Sequence, residues 1–179
     1  MKELLLHSRK SPGLVTLLDD DFYDFLMLHH SHVRWNPSFD PCTTYAISRH
    51  APGASKCLCL HRIILGAQSW DGTNLLPGID VDHMDHNGLN NLRSNLRLAT
   101  RSQNQANQRA RSNCTSQYKG VNWDESRSKW LARAEINDTQ RNLGRYDSEI
   151  AAAQAYNDFM LRHHGEFALV NKLPSTRTQ

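Results

Sequence analysis

Val81-Asp82-His83-Met84-Asp85-His86-Asn87-Gly88-Leu89-Asn90-Asn91-Leu92-Arg93-Ser94-Asn95-Leu96-Arg97-Leu98-Ala99-Thr100-Arg101-Ser102-Gln103-Asn104 decides how the chain is read. It opens as a strand ending in Asp-His. A loop follows that is too rich in Asn and Asp to be core, and a second short strand is expected from Asn95 to Ala99. A helix is expected to open at Thr100, because Thr100 and Gln103 have the spacing of a capping box. Asn104 then falls in the first or second helical turn. A hairpin followed at once by a helix can bring Asp82, His83, Asn95 and Asn104 into one small volume.

These residues at this spacing resemble the HNH nucleases with their ββα-metal site. The Asp-His pair, the Asn-Leu-Arg step and the later Asn fall where that motif has them. Cutting a phosphodiester needs a deprotonated water and something to neutralise charge on the phosphoryl group. The resemblance implies His83 as general base, and imidazole suits the task because it titrates near neutral pH. It implies Asp82 and Asn104 as metal ligands, two oxygen donors suited to a hard divalent cation, Mg²⁺ first and Mn²⁺ as the alternative. Such a cation polarises the phosphoryl oxygen and stabilises the leaving oxyanion. By the same resemblance Asn95 pins the loop and so orients His83. The final ligand is Asn where many members have His, and no thiolate or second imidazole is on offer, so no structural zinc is expected. His86 reads as a solvent-facing substitution in preference to a second phosphate contact.

At 179 residues the chain has room for one domain or two small ones. A net charge of +3 is too small by itself to assert a nucleic-acid partner. Its distribution says more. Arg93, Arg97, Arg101, Arg109, Arg111, Lys119, Arg127, Lys129 and Arg133 share a stretch opposed only by Asp124 and Glu125, an electrostatic footprint for a phosphate backbone. Cys42, Cys57, Cys59 and Cys114 form no C-x-x-C pair, so a zinc ribbon is not expected and free thiols in a reducing cytosol are. No apolar run reaches the length of a membrane span, and Leu4-Leu5-Leu6 is too short for a leader. A cytoplasmic, intracellular protein without membrane attachment is expected.

The expected fold class is α+β. Residues 1–35 read as a strand or two, including Leu14 to Leu18, and a helix from the Asp19-Asp20-Asp21 cap to about His30. Phe22, Phe25, Leu26 and His29 form its expected buried face. His29, His30 and His32 point in different directions and read as surface or core-edge residues. Residues 36–65 read as two strands, Thr44 to Ser48 and Lys56 to Leu60, turning at Ala51 to Ala54, then the start of a helix. The segment Leu60-His61-Arg62 also resembles what precedes the Asp-His strand in relatives of this group. Packing is favoured for His61, while the role of Arg62 is left open. Residues 66–80 read as loop.

Residues 118–171 hold a second motif. Strands are expected at Tyr118 to Trp123, Lys129 to Ile136 and Arg141 to Tyr146. A helix capped by Asp147 should follow, with Ile150, Ala153, Tyr156, Met160 and His163 on one stripe and Gly165 as its stop. The Tyr-Lys-Gly-Val opening, the Lys-Trp-x-Ala strand, Leu-Gly-x-Tyr-Asp, the Ala-Ala-x-Ala-Tyr helix and the closing Gly-Glu-Phe-Ala-x-x-Asn resemble the Apetala/ethylene-response-factor DNA-binding domain. There the sheet lies in the major groove and the helix braces its back. Alternation turns Trp130, Ala132, Ala134 and Ile136 to the helix and Lys129, Leu131, Arg133 and Glu135 outward. The resemblance nominates Lys119, Asn122, Arg133 and Arg145 as DNA contacts. Arg109 and Arg111, in a polar connector, join them.

The organisation expected is a nuclease domain over 1–104 with its last helix continuing to about 110, a basic linker over 111–117, a DNA-binding domain over 118–171 and a tail over 172–179. The leading expectation is a metal-dependent DNA endonuclease of homing or mobile-element type, phage or element encoded. It would act as a monomer on double-stranded DNA and cut one strand per visit. Its rivals are a sequence-specific DNA-binding regulator that has lost activity and a non-specific nuclease.

Overall fold

The computed structural model describes residues 1–39, 43–49, 53–54, 56–109 and 115–174. Two units divide the chain, Met1–Arg101 and Ser102–Gln179. Among the described residues no helix is long and apolar enough to cross a membrane.

The first unit opens with an antiparallel hairpin of β1 (Lys2–Leu5) and β2 (Val15–Leu18), in which Leu4 faces Thr16. The α1 helix (Asp20–His29) follows. Next come β3 (Asn36–Phe39), β4 (Thr44–Ser48) and β5 (Leu58–Cys59), antiparallel in the order β3-β4-β5, and the short α2 helix (Leu60–Ile64). β6 (Ile79–His83) and β7 (Leu96–Thr100) form a separate antiparallel pair. Leu4, Leu18, Phe22, Leu26, Trp35, Ala46, Leu58, Leu60 and Ile63 make the main core. A smaller cluster of Ala67, Val81 and Leu96 lies under β6 and β7.

Three departures from the sequence reading have physical causes. Residues 36–65 hold three strands, not two. Pro37 hid β3, yet that strand is the sheet's edge, where a missing N–H is tolerated. The expected face of α1 buries Phe22 and Leu26 but leaves Phe25 41% exposed. Phe25 instead lies against the rings of His29, His30 and Trp70, and His30 stacks on Trp70 with centroids 3.6 Å apart. Asp19 makes no side-chain cap to α1; its carboxylate accepts from the Arg93 backbone N–H at 2.9 Å.

The second unit contains all but the first residue of α3 (Arg101–Asn107), β8 (Val121–Asp124), β9 (Lys129–Ile136), β10 (Thr139–Tyr146) and α4 (Glu149–His164). Its three strands run antiparallel in the order β10-β9-β8. Val121 and Ala132 pack with Ala152 and Ala153 of α4. The buried stripe of α4 is rotated from the expected one. Ala152, Ala153, Tyr156, Asn157, Met160 and His164 are buried, whereas Ile150 and His163 are exposed. Asn157 has earned its inward position: its amide donates to the Asn171 carbonyl at 2.9 Å and accepts the Asn171 N–H at 2.7 Å. Asp147 is not the cap of α4, because Ser148 occupies that position and Asp147 pairs with Lys129 at 2.7 Å.

The last helix of the expected nuclease domain belongs to the second unit. Ala106 packs with Ala134, Tyr156 and Met160. Its carbonyl accepts from Leu169 at 3.2 Å, and Ser102 Oγ accepts from the Asn137 N–H at 3.2 Å. Lys119 sends its ammonium to the carbonyls of Gln105, Ala106 and Gln108, closing the C-terminal end of α3 where unpaired carbonyls collect.

Candidate active site

β6 delivers Asp82 and His83 as its last two residues, and both are buried, 5% and 6% exposed. Strand pairing sets Asp82 opposite Arg97 and His83 opposite Leu96. Arg97 Nε donates to Asp82 Oδ2 at 2.8 Å, a charge-assisted bond in a mostly dry setting.

Asn95 ends a single 3₁₀ turn, Arg93–Asn95, immediately before β7. Its amide donates to Asp85 Oδ1 at 2.9 Å and to the Asn90 carbonyl at 2.8 Å, and its oxygen accepts from the Asp85 N–H at 3.1 Å. One side chain thus spans both sides of the loop that follows His83. Burial pushes the Asp85 carboxyl up, but hydrogen bonds from Asn90, Asn87 and Asn95 outweigh it and hold the group below its ordinary range.

Beyond the loop, two strands far away in sequence hold it. Leu17 of β2 donates its N–H to the Leu89 carbonyl at 2.8 Å and accepts from Asn91 at 3.0 Å. On β4, Gly88 lies so close that an added Cβ would sit 2.4 Å from the Thr44 carbonyl and 2.8 Å from the Tyr45 ring. The ring of His83 meets Tyr45 at 5.7 Å and His61 at 5.2 Å between centroids. Its Nε2 lies 3.1 Å from Asn91 Oδ1. Burial holds the His83 ring below the ordinary histidine range, partly offset by the Asn91 bond and the charges of Asp85 and Asp82. Burial thus favours the neutral form of this ring.

Tyr45, His61, Asn91 and Thr16 were not among the sequence candidates for chemistry. His61 packs, but it packs on His83. Arg62 is a brace, bonding the Ile79 carbonyl at 3.1 Å and Asn74 Oδ1 at 2.8 Å. A doubled Asn90-Asn91 inside a loop tethered at both ends was the one available signal. His86 takes a left-handed backbone with φ of 63° and is half-buried, so it is not the fully solvent-facing residue expected.

The first unit brings Asp82, His83 and Asn95 together; Asn104 lies in α3 of the second unit and is half-buried. Among the described residues no group of three or more His, Cys, Asp or Glu side chains is arranged to hold a metal ion. Asp82 alone among these residues is a buried carboxylate, an oxygen donor of the kind a hard cation takes, and here it is bonded to Arg97.

Of the six expected DNA contacts, Arg133 and Arg109 are exposed. Asn122 is half-buried on the outer face of the sheet, opposite Leu131. Arg145 is tied to Asp124 at 2.8 Å. Lys119 is turned to the carbonyls of α3, and burial lowers it to about 8, so it does not present its charge outward. Arg111 lies outside the described residues. Leu131, expected to face outward, is only 4% exposed, between Asn122 and Arg145 across the strands.

The family model for HNH endonucleases matches residues 74–106, the span from the end of the Arg62-braced loop through α3. A protein of Acanthamoeba polyphaga mimivirus named as an HNH endonuclease is 42% identical over 95 residues, 53% of this chain and 48% of that protein. Protein 3.8 of Escherichia phage T7 is 32% identical over 103 residues, 56% of this chain and 84% of that protein. The chain belongs to the HNH endonuclease family. It spans about half the length of the mimivirus HNH relative. HNH endonucleases are phosphodiester-cleaving enzymes and generally use a divalent metal ion. No solved structure matches the chain.

Proposed function

We propose that this HNH chain is a metal-dependent DNA endonuclease that nicks one strand at a time as a monomer, with its second unit acting as a DNA-binding domain of Apetala/ethylene-response-factor type. The observation that carries the reading is a buried imidazole bonded to the Asn91 amide and next in the chain to a buried carboxylate, at the end of β6 within the span the family model matches. His83 takes a proton from the attacking water. Asn95 clamps the loop between Asp85 and Asn90 and so fixes the path of the chain leaving His83. Asp82, with Asn104 assigned by its spacing in the sequence, would hold a divalent ion, Mg²⁺ in preference to Mn²⁺. Bound there, the ion supplies charge neutralisation at the phosphoryl group.

The three-stranded sheet backed by α4 supports the DNA-binding assignment, with Arg133, Asn122 and Arg145 on or beside its outer face and Arg109 and Arg111 in the connector. Viral and phage relatives support a phage or mobile-element setting, where the substrate is cytoplasmic DNA. A second reading, a DNA-binding regulator without cleavage, is favoured by the Arg97 guanidinium on Asp82, which already neutralises that carboxylate. Plasmid nicking with and without Mg²⁺ decides between them. Wild type should nick only with the metal, and His83→Ala should lose about a hundredfold or more while still binding DNA. A variant without His83 that cuts at the wild-type rate removes the assignment of the base.

A further inference from the structure

We propose that Lys119 is a positioning residue for DNA cleavage, a clamp on the C-terminal end of α3, and not a phosphate contact. The inference rests on the reading of the chain as an HNH nuclease in which α3 takes part. The span matched by the HNH family model runs to residue 106, and residues 102–106 of it belong to the second unit. That piece of the nuclease motif is held by residues outside the motif. It needs holding, because a helix of seven residues is too short to persist alone. The last four carbonyls of a helix have no partner within it. In α3 they include those of Gln105 and Ala106. Lys119 Nζ lies 2.7 Å from the Ala106 carbonyl and 3.4 Å from that of Gln105, and it also donates to the Gln108 carbonyl just past the helix. An ammonium has three hydrogens to donate and accepts none. Three carbonyls use them all, and none is left for a phosphate while α3 is held.

The side chain is aimed there by its own main chain. The Lys119 N–H donates to Asn171 Oδ1 at 2.7 Å, and the Lys119 carbonyl accepts from Asn171 Nδ2 at 3.0 Å. Asn171 is held in turn by the buried Asn157 of α4 through two bonds, at 2.9 and 2.7 Å. Asn157, Asn171 and Lys119 thus connect α4 to α3 in three steps. A clamp and a phosphate contact have opposite signatures. Losing a phosphate contact weakens binding alike for all sequences and lowers the salt slope by about one. Losing the clamp leaves docking intact but lets α3 shift, and a misplacement of about 1 Å away from the chemistry can cost about a hundredfold in rate.

The test sets the two against each other in the full chain. Lys119→Met keeps the apolar stem and removes the donors. It should lower kcat for nicking of supercoiled plasmid by roughly tenfold or more. KM, affinity for a mixed-sequence duplex and the salt slope should stay at wild-type values. Wild-type kcat in this variant overturns the proposal, whether or not its binding weakens. Spectra of the wild-type chain labelled with ¹⁵N-lysine need neither a variant nor cleavage, and they decide if Lys119→Met does not fold or loses rate and affinity together. The Lys119 ammonium, assigned through its own backbone, should give a ¹H–¹⁵N signal slow to exchange with water, and added duplex should leave it unmoved. An ammonium that exchanges freely in the free chain and is protected only by DNA overturns the proposal. Should wild type fail to nick, the nuclease reading falls while the spectra still report the clamp, so the two failures are distinguishable.

Discussion

His61 is a single ring whose burial the whole first unit feels. Its Nδ1 is buried without a hydrogen-bond partner, and its ring is closed in by Tyr45 and His83. Burial, helped by His83 and Arg62, pushes it down to about 3. The unfolded chain protonates this ring as pH falls through its ordinary value of 6.5, while the folded chain refuses the proton until about 3. Its stabilising contribution is therefore complete above 6.5 and lost on the way down, by about 1.4 kcal/mol per pH unit at the steepest. His83, also depressed by burial, adds in the same direction. Urea unfolding at neutral and mildly acidic pH should show this fall, and His61→Phe should flatten part of it; an unchanged acid slope in that variant excludes His61 as a source. At this scale the sequence was legible where chemistry is crowded into one run, as with Asp82, His83 and Asn95. It was illegible for Asn91, Thr16, Tyr45 and His61. Their partners come from strands far away in the chain, and no local pattern announces a side chain that finds its role only on packing.

Elements were read well where their own periodicity decides them. β9 starts and ends where alternation puts it, at Lys129 and Ile136. Of the expected stripe on α4, Ala153, Tyr156 and Met160 are buried, while Ala152, Asn157 and His164 take the places of Ile150 and His163, Asn157 being drawn in by its two bonds to Asn171. The deeper difference concerns α3. Its sequence continues a nuclease motif, but its packing is with Ala134, Tyr156 and Met160, and its C-terminal carbonyls are closed by Lys119. A chain ending near Gln117 lacks all four. With seven residues, α3 cannot persist alone. Such a truncation should therefore lose metal-dependent nicking as well as site preference; robust cleavage by it would show that α3 needs none of these partners. Gly120 offers a sharper test of the same unit. Its φ is +77°, and an added Cβ would lie 2.1 Å from the Tyr156 ring and 2.6 Å from the Arg133 carbonyl. Gly120→Ala should destabilise the second unit by about 2–4 kcal/mol, seen as an early transition in thermal unfolding. A melt superimposable on wild type contradicts the close approach.

For the molecule as a whole, charge is used differently from what a count of basic residues suggests. Arg93 bonds Asp21 at 2.8 Å, Arg97 is on Asp82, Arg145 is on Asp124, Lys129 is on Asp147 and Lys119 faces carbonyls. Much of the basic stretch is therefore spent on holding the units together internally, and fewer cations remain for phosphates. Arg133→Gln should weaken DNA binding alike for all sequences and lower the salt slope by about one if it contacts phosphate, or cost about 1–3 kcal/mol at one base pair if it reads a base edge. Arg145→Gln should also lower thermal stability slightly, because Asp124 loses a partner. Binding titrations across salt concentrations separate the two; an Arg133 variant that binds like wild type at every salt takes that residue off the DNA face. β7 ends at Thr100 and α3 begins at Arg101, with no residue between them. For anyone building chimaeras, the polar stretch after Asn107 is consequently the wrong place for a joint. A donor module exchanged there would arrive without its own first helix and leave the recipient's helix facing a foreign surface, so the joint that keeps α3 with its packing partners is the Thr100–Arg101 peptide bond, and the donor must bring its own oxygen ligand at the position of Asn104.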